Sequence, residues 1–342
     1  MRCAPVIIIT LNRCKHLQRC IESLKKNDLA KETDLYIGLD YPPDSRYVEG
    51  YKKVQDYLNK GIDGFQNVMI VKQAENKGMF GNFVSVQEEV YKKYDRFIYT
   101  EDDNEFAANY LEYMNRCLEK YEHEDSVLAV SGYSYPIEKK AFRGNVFQCG
   151  TYFSALGYGM WKYKEEKMRK HLNKAFFNRL YFDKKFMTRL LNLSRNQYVN
   201  MIKGMLEYTS DLIWNGEIRE VDLAFGLYMV ACKKSVVYPV VSKVRNWGYD
   251  GSGVNCEQVQ VKQNDVINHR NFCFESQELD EKNSFSEVIE ESGISQERIN
   301  KLLDSYFSIP RKEYLKANAA YMLSMIVGIK VIRNIIGRSN RR

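Results

Sequence analysis

Arg96-Phe-Ile-Tyr-Thr-Glu-Asp-Asp-Asn104 runs a short apolar strand straight into three consecutive acids, Glu101, Asp102 and Asp103. Like charges at adjacent positions repel unless something positive sits among them. In an open α/β sheet, ligands collect at the carboxyl ends of the strands. An acid cluster there reads as a divalent-metal site facing a phosphorylated ligand. The same triplet also reads as a solvated acidic turn capping the helix that starts near Ala107, because Asp and Glu favour helix N-termini.

The flanking pattern gives the strand its setting. Pro5-Val-Ile-Ile-Ile-Thr10 is a continuous β-branched run, suited to a strand buried on both faces. Leu17, Cys20, Ile21 and Leu24 then recur at helical spacing, and Leu35-Tyr-Ile-Gly-Leu39 is a second strand ending in Asp40. A helix near 46–60, a strand around 68–71, a helix over 80–94, the strand 96–100, a helix over 107–121 and a strand over 126–130 follow. Strands alternating with helices predict a mostly parallel, doubly wound sheet over residues 1–131.

From 132 to 275 the pattern mixes short strands, loops and basic helices. Helices are expected over 161–173, 195–208 and 220–233. Residues 276–342 form a helical C-terminal region. There Tyr321, Met325, Ile329, Ile332 and Ile336 share one helical face flanked by Lys316, Lys330, Arg333, Arg338, Arg341 and Arg342. The apolar run 317–329 is too short to span a bilayer, which takes roughly 20 residues. A basic amphipathic helix lying in an anionic membrane interface accounts for both features, and so does a helix docked on the core.

With 342 residues, 44% hydrophobic and 28% charged, the chain reads as globular, and its net charge of +7 leaves nucleic acid, acidic membrane and anionic small ligands open. The eight cysteines form no C-x-x-C pair and read as reduced thiols of a cytosolic protein. Cys256, His269 and Cys273 fit no tight zinc chelate. The first strand begins at once after Arg2 and Cys3, with no signal peptide.

The order of these features, from Pro5 to about Asn255, resembles nucleotide-sugar glycosyltransferases of the GT-A fold. The pattern is similar to the inverting N-acetylglucosaminyltransferase I type and to bacterial sugar transferases of polysaccharide synthesis. The resemblance implies a Rossmann-like α/β sheet with flanking helices. It implies that Thr10, Asn12 and Arg13 face the nucleotide, that Asp40 accepts a hydrogen bond from uracil, and that Asn76, Lys77 and Gly78 pass close to the donor. Within the triplet it makes Asp103 the ligand of a manganese or magnesium ion, Asp102 a contact of the ribose or sugar, and Glu101 a support. Asp222, with Glu217 and Glu220 as alternatives, would be the base that deprotonates the acceptor hydroxyl.

Trp161 would stack on a sugar or lie in the core, and Gly248 to Asn255, with Asp250, would close over the diphosphate. Related enzymes often place His near Asn255, so a second protein ligand to the metal is not carried over.

The implied partners are a nucleotide-sugar donor, a UDP-sugar in chemical class, and a glycan or lipid-linked acceptor at the cytoplasmic face of a membrane. Three further functions compete. A nucleotidyltransferase normally opens on a glycine-rich loop, and Thr10-Leu-Asn-Arg13 has no glycine. A nucleic-acid binder would use the basic, aromatic runs 162–174 and 184–195, although no nucleic-acid-binding motif is present, and a catalytically inactive scaffold on the membrane is the third reading.

Overall fold

The computed structural model describes residues 3–206, 213–214, 217–218, 220–250, 252, 278–285 and 288–333. Its first half alternates β1 (Val6–Thr10), α1 (Cys14–Lys25), β2 (Asp34–Leu39), α2 (Ser45–Asn59), β3 (Asn67–Lys72), α3 (Gly78–Val90) and β4 (Arg96–Glu101). Then come β5 (Asn104–Phe106), α4 (Tyr110–Lys120), β6 (Val127–Ser131), β7 (Val146–Cys149) and β8 (Tyr158–Trp161). Helices α5 (Lys162–Arg169), α6 (Lys174–Phe182), α7 (Lys184–Leu193) and α8 (Arg195–Leu206) follow. The remainder is β9 (Ile213–Trp214), β10 (Glu217–Ile218), α9 (Val221–Cys232), β11 (Ser235–Pro239), β12 (Val244–Asn246), α10 (Gln296–Tyr306) and α11 (Arg311–Val327).

Eight strands form one sheet in the order β3-β2-β1-β4-β8-β6-β11-β7. β1 pairs in parallel with β2 on one side and β4 on the other, and β2 pairs in parallel with β3. β8 runs antiparallel between β4 and β6. The β-branched run of β1 is buried at every position, as a strand covered by helices on both faces requires. At the edge, β3 is only half-buried.

The order 3-2-1-4 fixes where a ligand can enter. After β1 the chain crosses outward to β2 and β3, then returns to the opposite side of β1 as β4. The connections leaving β1 and β4 therefore diverge, and the gap at their carboxyl ends is the topological switch point of the sheet. Register places Ile9 opposite Glu101, so Thr10 and Asp102 are the next residues out on neighbouring strands.

Two compact units divide the chain. One holds residues 1–147, 154–164 and 237–293; the other holds 148–153, 165–236 and 294–342. The second is mainly helical: α8 packs on α7, α9 and α11.

Trp161 belongs to the core of the first unit. Its side chain is 1% exposed, its indole N–H donates to the Leu118 carbonyl at 3.1 Å, and the Lys164 ammonium sits 3.7 Å from the ring centre. Of the two readings, stacking or core, the burial agrees with the second: its strand lies inside the sheet, between β4 and β6.

Part of the basic run 162–174 is tied into the protein. Lys164 is buried and donates to the carbonyls of Tyr121, Glu124 and Val127 at 2.9, 2.9 and 2.7 Å, and Arg169 pairs with Glu165 at 2.6 Å.

The C-terminal helix is docked along part of the expected stripe. Tyr321 and Ile332, assigned to a membrane-facing stripe, are buried on the protein. Within the second unit, Tyr321 packs edge-on against Tyr181 at 5.1 Å, and Ser324 shares a 2.7 Å hydrogen bond with the Tyr181 hydroxyl. α11 is apolar on more than one side, so its periodicity does not single out the docked stripe. Ile336, Arg338, Arg341 and Arg342 lie outside the described residues.

Replacing Trp161 with alanine removes a large side chain that fills the space between β8 and α4. Trp161→Ala is expected to lower the unfolding free energy by about 3–5 kcal/mol in urea titration. A stability unchanged within error would return this residue to the acceptor site.

Candidate active site

The site is assembled at the switch point from three separate pieces of chain. The first is the turn after β1. Thr10 Oγ1 donates to Asp102 Oδ2 at 2.6 Å, and the Arg13 guanidinium forks across the acid pair. One Arg13 nitrogen bonds Asp102 Oδ1, and the other lies 2.9 Å from Asp103 Oδ2.

The second piece is the end of β4, which supplies the acids. Asp102 is 2% exposed and Asp103 6%, so this is not a solvated acidic turn. Glu101 ends β4 and is half-buried.

The third piece arrives from far along the sequence. β12 pairs antiparallel with β5, with Asn246 opposite Asn104. The Asn246 amide nitrogen donates to Asp103 Oδ1 and to Asn104 Oδ1, both at 2.9 Å, while its own oxygen accepts from Gly248 N at 2.9 Å. The Trp247 amide donates to the Asp103 carbonyl at 2.8 Å. A Cβ on Gly248 would sit 2.2 Å from Asp103 Oδ2, so only glycine permits this approach. Gly248 opens the segment expected to close over the diphosphate; here it serves close contact.

His16, on the first turn of α1, was not anticipated. Its Nε2 lies 3.2 Å from the Trp247 carbonyl and 3.3 Å from Asp250 Oδ2. Trp247 also donates its indole N–H to Glu105 at 2.8 Å and lies under the Arg19 guanidinium at 4.1 Å. The clue available in the sequence was spacing: Arg13, His16 and Arg19 recur every three residues at the start of a helix.

Electrostatics follow from burial. Loss of water pushes the Asp102 carboxyl above its ordinary range; Arg13 pulls it back and the charge of Asp103 pushes it up further. Arg13 stays protonated, because Asp102, Asp103 and Glu101 together outweigh the cost of its burial. Burial also acts to raise Asp250, yet the hydrogen bonds from Ser252 and the charges of His16 and Arg13 hold its carboxyl below the usual value.

A second group forms at the end of β2, tied to the first by the Asp40 amide, which donates to the Thr10 carbonyl at 3.0 Å. Asp40 is buried, and its Oδ1 accepts from the amides of Tyr41 and Lys77, each at 2.9 Å. Its Oδ2 accepts from the Asn76 side chain at 3.1 Å. Burial raises the Asp40 carboxyl despite these donors. The carboxylate thus fastens the start of α3, where Gly78 adopts a φ of 68°. Asn12 touches α2 through its backbone: a Cβ on Gly50 would lie 2.4 Å from the Asn12 carbonyl oxygen.

The candidate base, Asp222, stands exposed in the first turn of α9 in the second unit, beside the exposed Glu220 that precedes the helix. The side chains of Glu217 and Asn255 lie outside the described residues.

Among the described residues no three His, Cys, Asp or Glu side chains gather into a metal cluster. The donor chemistry still suits a hard divalent ion with few protein ligands. Each Asp103 oxygen accepts one protein hydrogen bond and keeps a second lone pair.

Arg13 is the cation that makes the buried acids tolerable. Arg13→Ala is expected to cost about 3–5 kcal/mol, as removal of one partner of a buried pair does. Because the folded Asp102 carboxyl already binds its proton more readily than the unfolded chain, acidification favours the folded state at this site. The deficit of Arg13→Ala should therefore narrow as pH falls, measured as urea midpoints across an acid series. A deficit that stays constant with pH would remove this account.

Comparison with known proteins agrees with the geometry. A model of glycosyl transferase family 2 matches residues 6–190, more than half of the chain. No curated protein matches the sequence significantly.

Among solved structures, the crystal structure of S. aureus TarS is 15% identical over 42% of this chain and 24% of that one, with a TM-score of 0.29. A structure of TarS residues 1–349 is 14% identical over 66% of this chain and 70% of that one, with a TM-score of 0.34. The mannosyltransferase PcManGT from Pyrobaculum calidifontis, in complex with GDP-Man and Mn2+, is 13% identical over 48% and 46%, with a TM-score of 0.33. The chain thus spans less than half the length of full TarS and of PcManGT in these alignments. With a family match covering both β1 and the acids that follow β4, the chain belongs to glycosyl transferase family 2.

Proposed function

We propose that this glycosyltransferase is metal-dependent and inverting, and that it moves a hexosyl or N-acetylhexosaminyl group from a UDP-sugar to a glycan or lipid-linked acceptor in bacterial surface polysaccharide synthesis. The observation that supports it most is the buried Asp102–Asp103 pair at the switch point, gripped by Arg13 and Asn246. A buried anionic pair beside a fixed guanidinium suits recognition of a diphosphate bridged by a cation better than it suits a neutral substrate.

In this reading residues 1–131 bind the donor and 132–275 carry the acceptor side and the base. Asp40 accepts from the uracil ring, and Asn76, Lys77 and Gly78 line the path of the donor. Lys77 and Arg13 meet phosphate. Asp102 contacts the ribose or sugar, with Thr10, Asn12 and Glu101 keeping the turn in shape.

Asp103 would hold manganese or magnesium. When bound, the ion supplies charge neutralisation for the departing diphosphate. Asp222 takes the proton from the acceptor hydroxyl as its oxygen attacks the anomeric carbon on the face opposite the leaving group. A new glycosidic bond then forms with inverted configuration while the bond to the nucleoside diphosphate breaks. Glu217 and Glu220 are the alternative bases. We place the enzyme at the cytoplasmic face of the inner membrane, without a spanning helix: among the described residues no helix is long and apolar enough to cross.

A panel of nucleotide sugars with manganese, scored by thermal stabilisation and by donor hydrolysis, tests the reading. UDP-sugars should stabilise the native chain and leave Asp103→Ala unmoved. Equal stabilisation of both proteins, or none of either, would discard it. Asp222→Asn is expected to slow transfer by roughly 10² to 10⁴ with donor affinity nearly unchanged. A variant that loses donor binding in parallel with rate would remove Asp222 from the role of base.

A further inference from the structure

Helix α11 has two apolar sides, and the protein covers one. Ala317, Tyr321 and Ser324 are buried within the second unit, where Tyr198 donates to Asn318 at 2.8 Å and Lys203 pairs with Glu313 at 2.9 Å. On the opposite side, Leu315, Met322, Leu323 and Ile326 are 52%, 57%, 46% and 80% exposed. At 100° per residue these four span about 100° of the helix surface. Arg311, Lys312 and Lys316, all exposed, share that side one to three turns toward the N-terminus. Val331 is also exposed, and Lys330 follows the helix.

The surrounding charge selects the occupant. From Tyr314 to Arg342 the sequence contains Lys316, Lys330, Arg333, Arg338, Arg341 and Arg342 and no aspartate or glutamate. A second copy of this chain would bring two such basic segments together and repel. An anionic lipid surface attracts them, and it takes up exposed apolar side chains that an aqueous surface does not favour. Since no described helix is long enough to cross, contact with lipid means lying in the interface.

We propose that the Leu315, Met322, Leu323 and Ile326 face of α11 inserts into the interfacial region of an anionic bilayer, with Arg311, Lys312, Lys316 and Lys330 held at the headgroups. This rests on the peripheral location proposed above and gives it a surface, opposite to the stripe that the sequence pattern suggested. It does not depend on the donor, the metal or the base.

Flotation of the full-length protein with vesicles of phosphatidylglycerol and phosphatidylcholine tests the proposal, beside vesicles of phosphatidylcholine alone. The protein should float with the mixed vesicles, fail to float with the neutral ones, and be released as salt rises. The double variant Met322→Glu, Ile326→Glu should bind about tenfold more weakly or worse. Val288→Glu, a similar change at a site 75% exposed in the first unit, should bind like the parent. Unfolding midpoints of both variants should match the parent, because neither face is packed. Unchanged flotation of the double variant, no binding by the parent, or concentration-dependent self-association abolished by the double variant without vesicle binding would each overturn it. Vesicle binding retained where UDP gives no stabilisation would leave this proposal standing and count against the donor reading alone.

Discussion

The parallel pairing of β1 with β4 is the constraint from which the site follows. Strand order sends the connections after these two strands in opposite directions, and the register sets Ile9 beside Glu101. Thr10 and Asp102 then meet at 2.6 Å, and Arg13, one turn further, reaches both acids. Each acid alone would be costly to bury; together with one guanidinium and the Asn246 amide they are satisfied. The geometry that stabilises the acid pair is also one that suits anionic ligands, because the positive groups are held in place by the protein's own contacts.

The cluster has no slack. Asn246 is held by the β5–β12 ribbon, Gly248 leaves no room for a side chain against Asp103, and Trp247 is clamped between Glu105 and Arg19. His16 joins α1 to the same segment through the Trp247 carbonyl and Asp250. The segment expected to close over the diphosphate is therefore anchored at its first residues by hydrogen bonds to the acid pair. Asp40 plays the matching part at β2, where its carboxylate organises the start of α3 from within the protein.

The helical unit illustrates the limits of periodicity. In α9 and α8 the buried faces are broad, and both helices were legible within a residue or two: 220–233 against Val221–Cys232 and 195–208 against Arg195–Leu206. α11 carries apolar residues around most of its circumference, so the stripe chosen from spacing turned out to be the one docked through Tyr321. The helices α6 and α7 were missed as separate elements; side-chain caps from Asn173 and Asp183 start them, a local signal hidden among basic residues.

By itself the sequence determined the parallel half of the sheet, strand by strand within about one residue, because buried parallel strands are continuous β-branched runs and their crossovers are amphipathic helices. It also determined that Arg13 and the acids 101–103 follow the first and fourth strands, and so lie at the carboxyl end of a sheet of this class. Tertiary structure decided what surrounds them. Asn246 meets Asp103 across 143 positions, a contact with no local signature. Trp161 became core because β8 entered the sheet between β4 and β6, and Lys164 became buried because three carbonyls at the end of α4 and start of β6 converge on it. Periodicity records which side of an element avoids water, whereas the partner that covers that side is set only when distant segments pack.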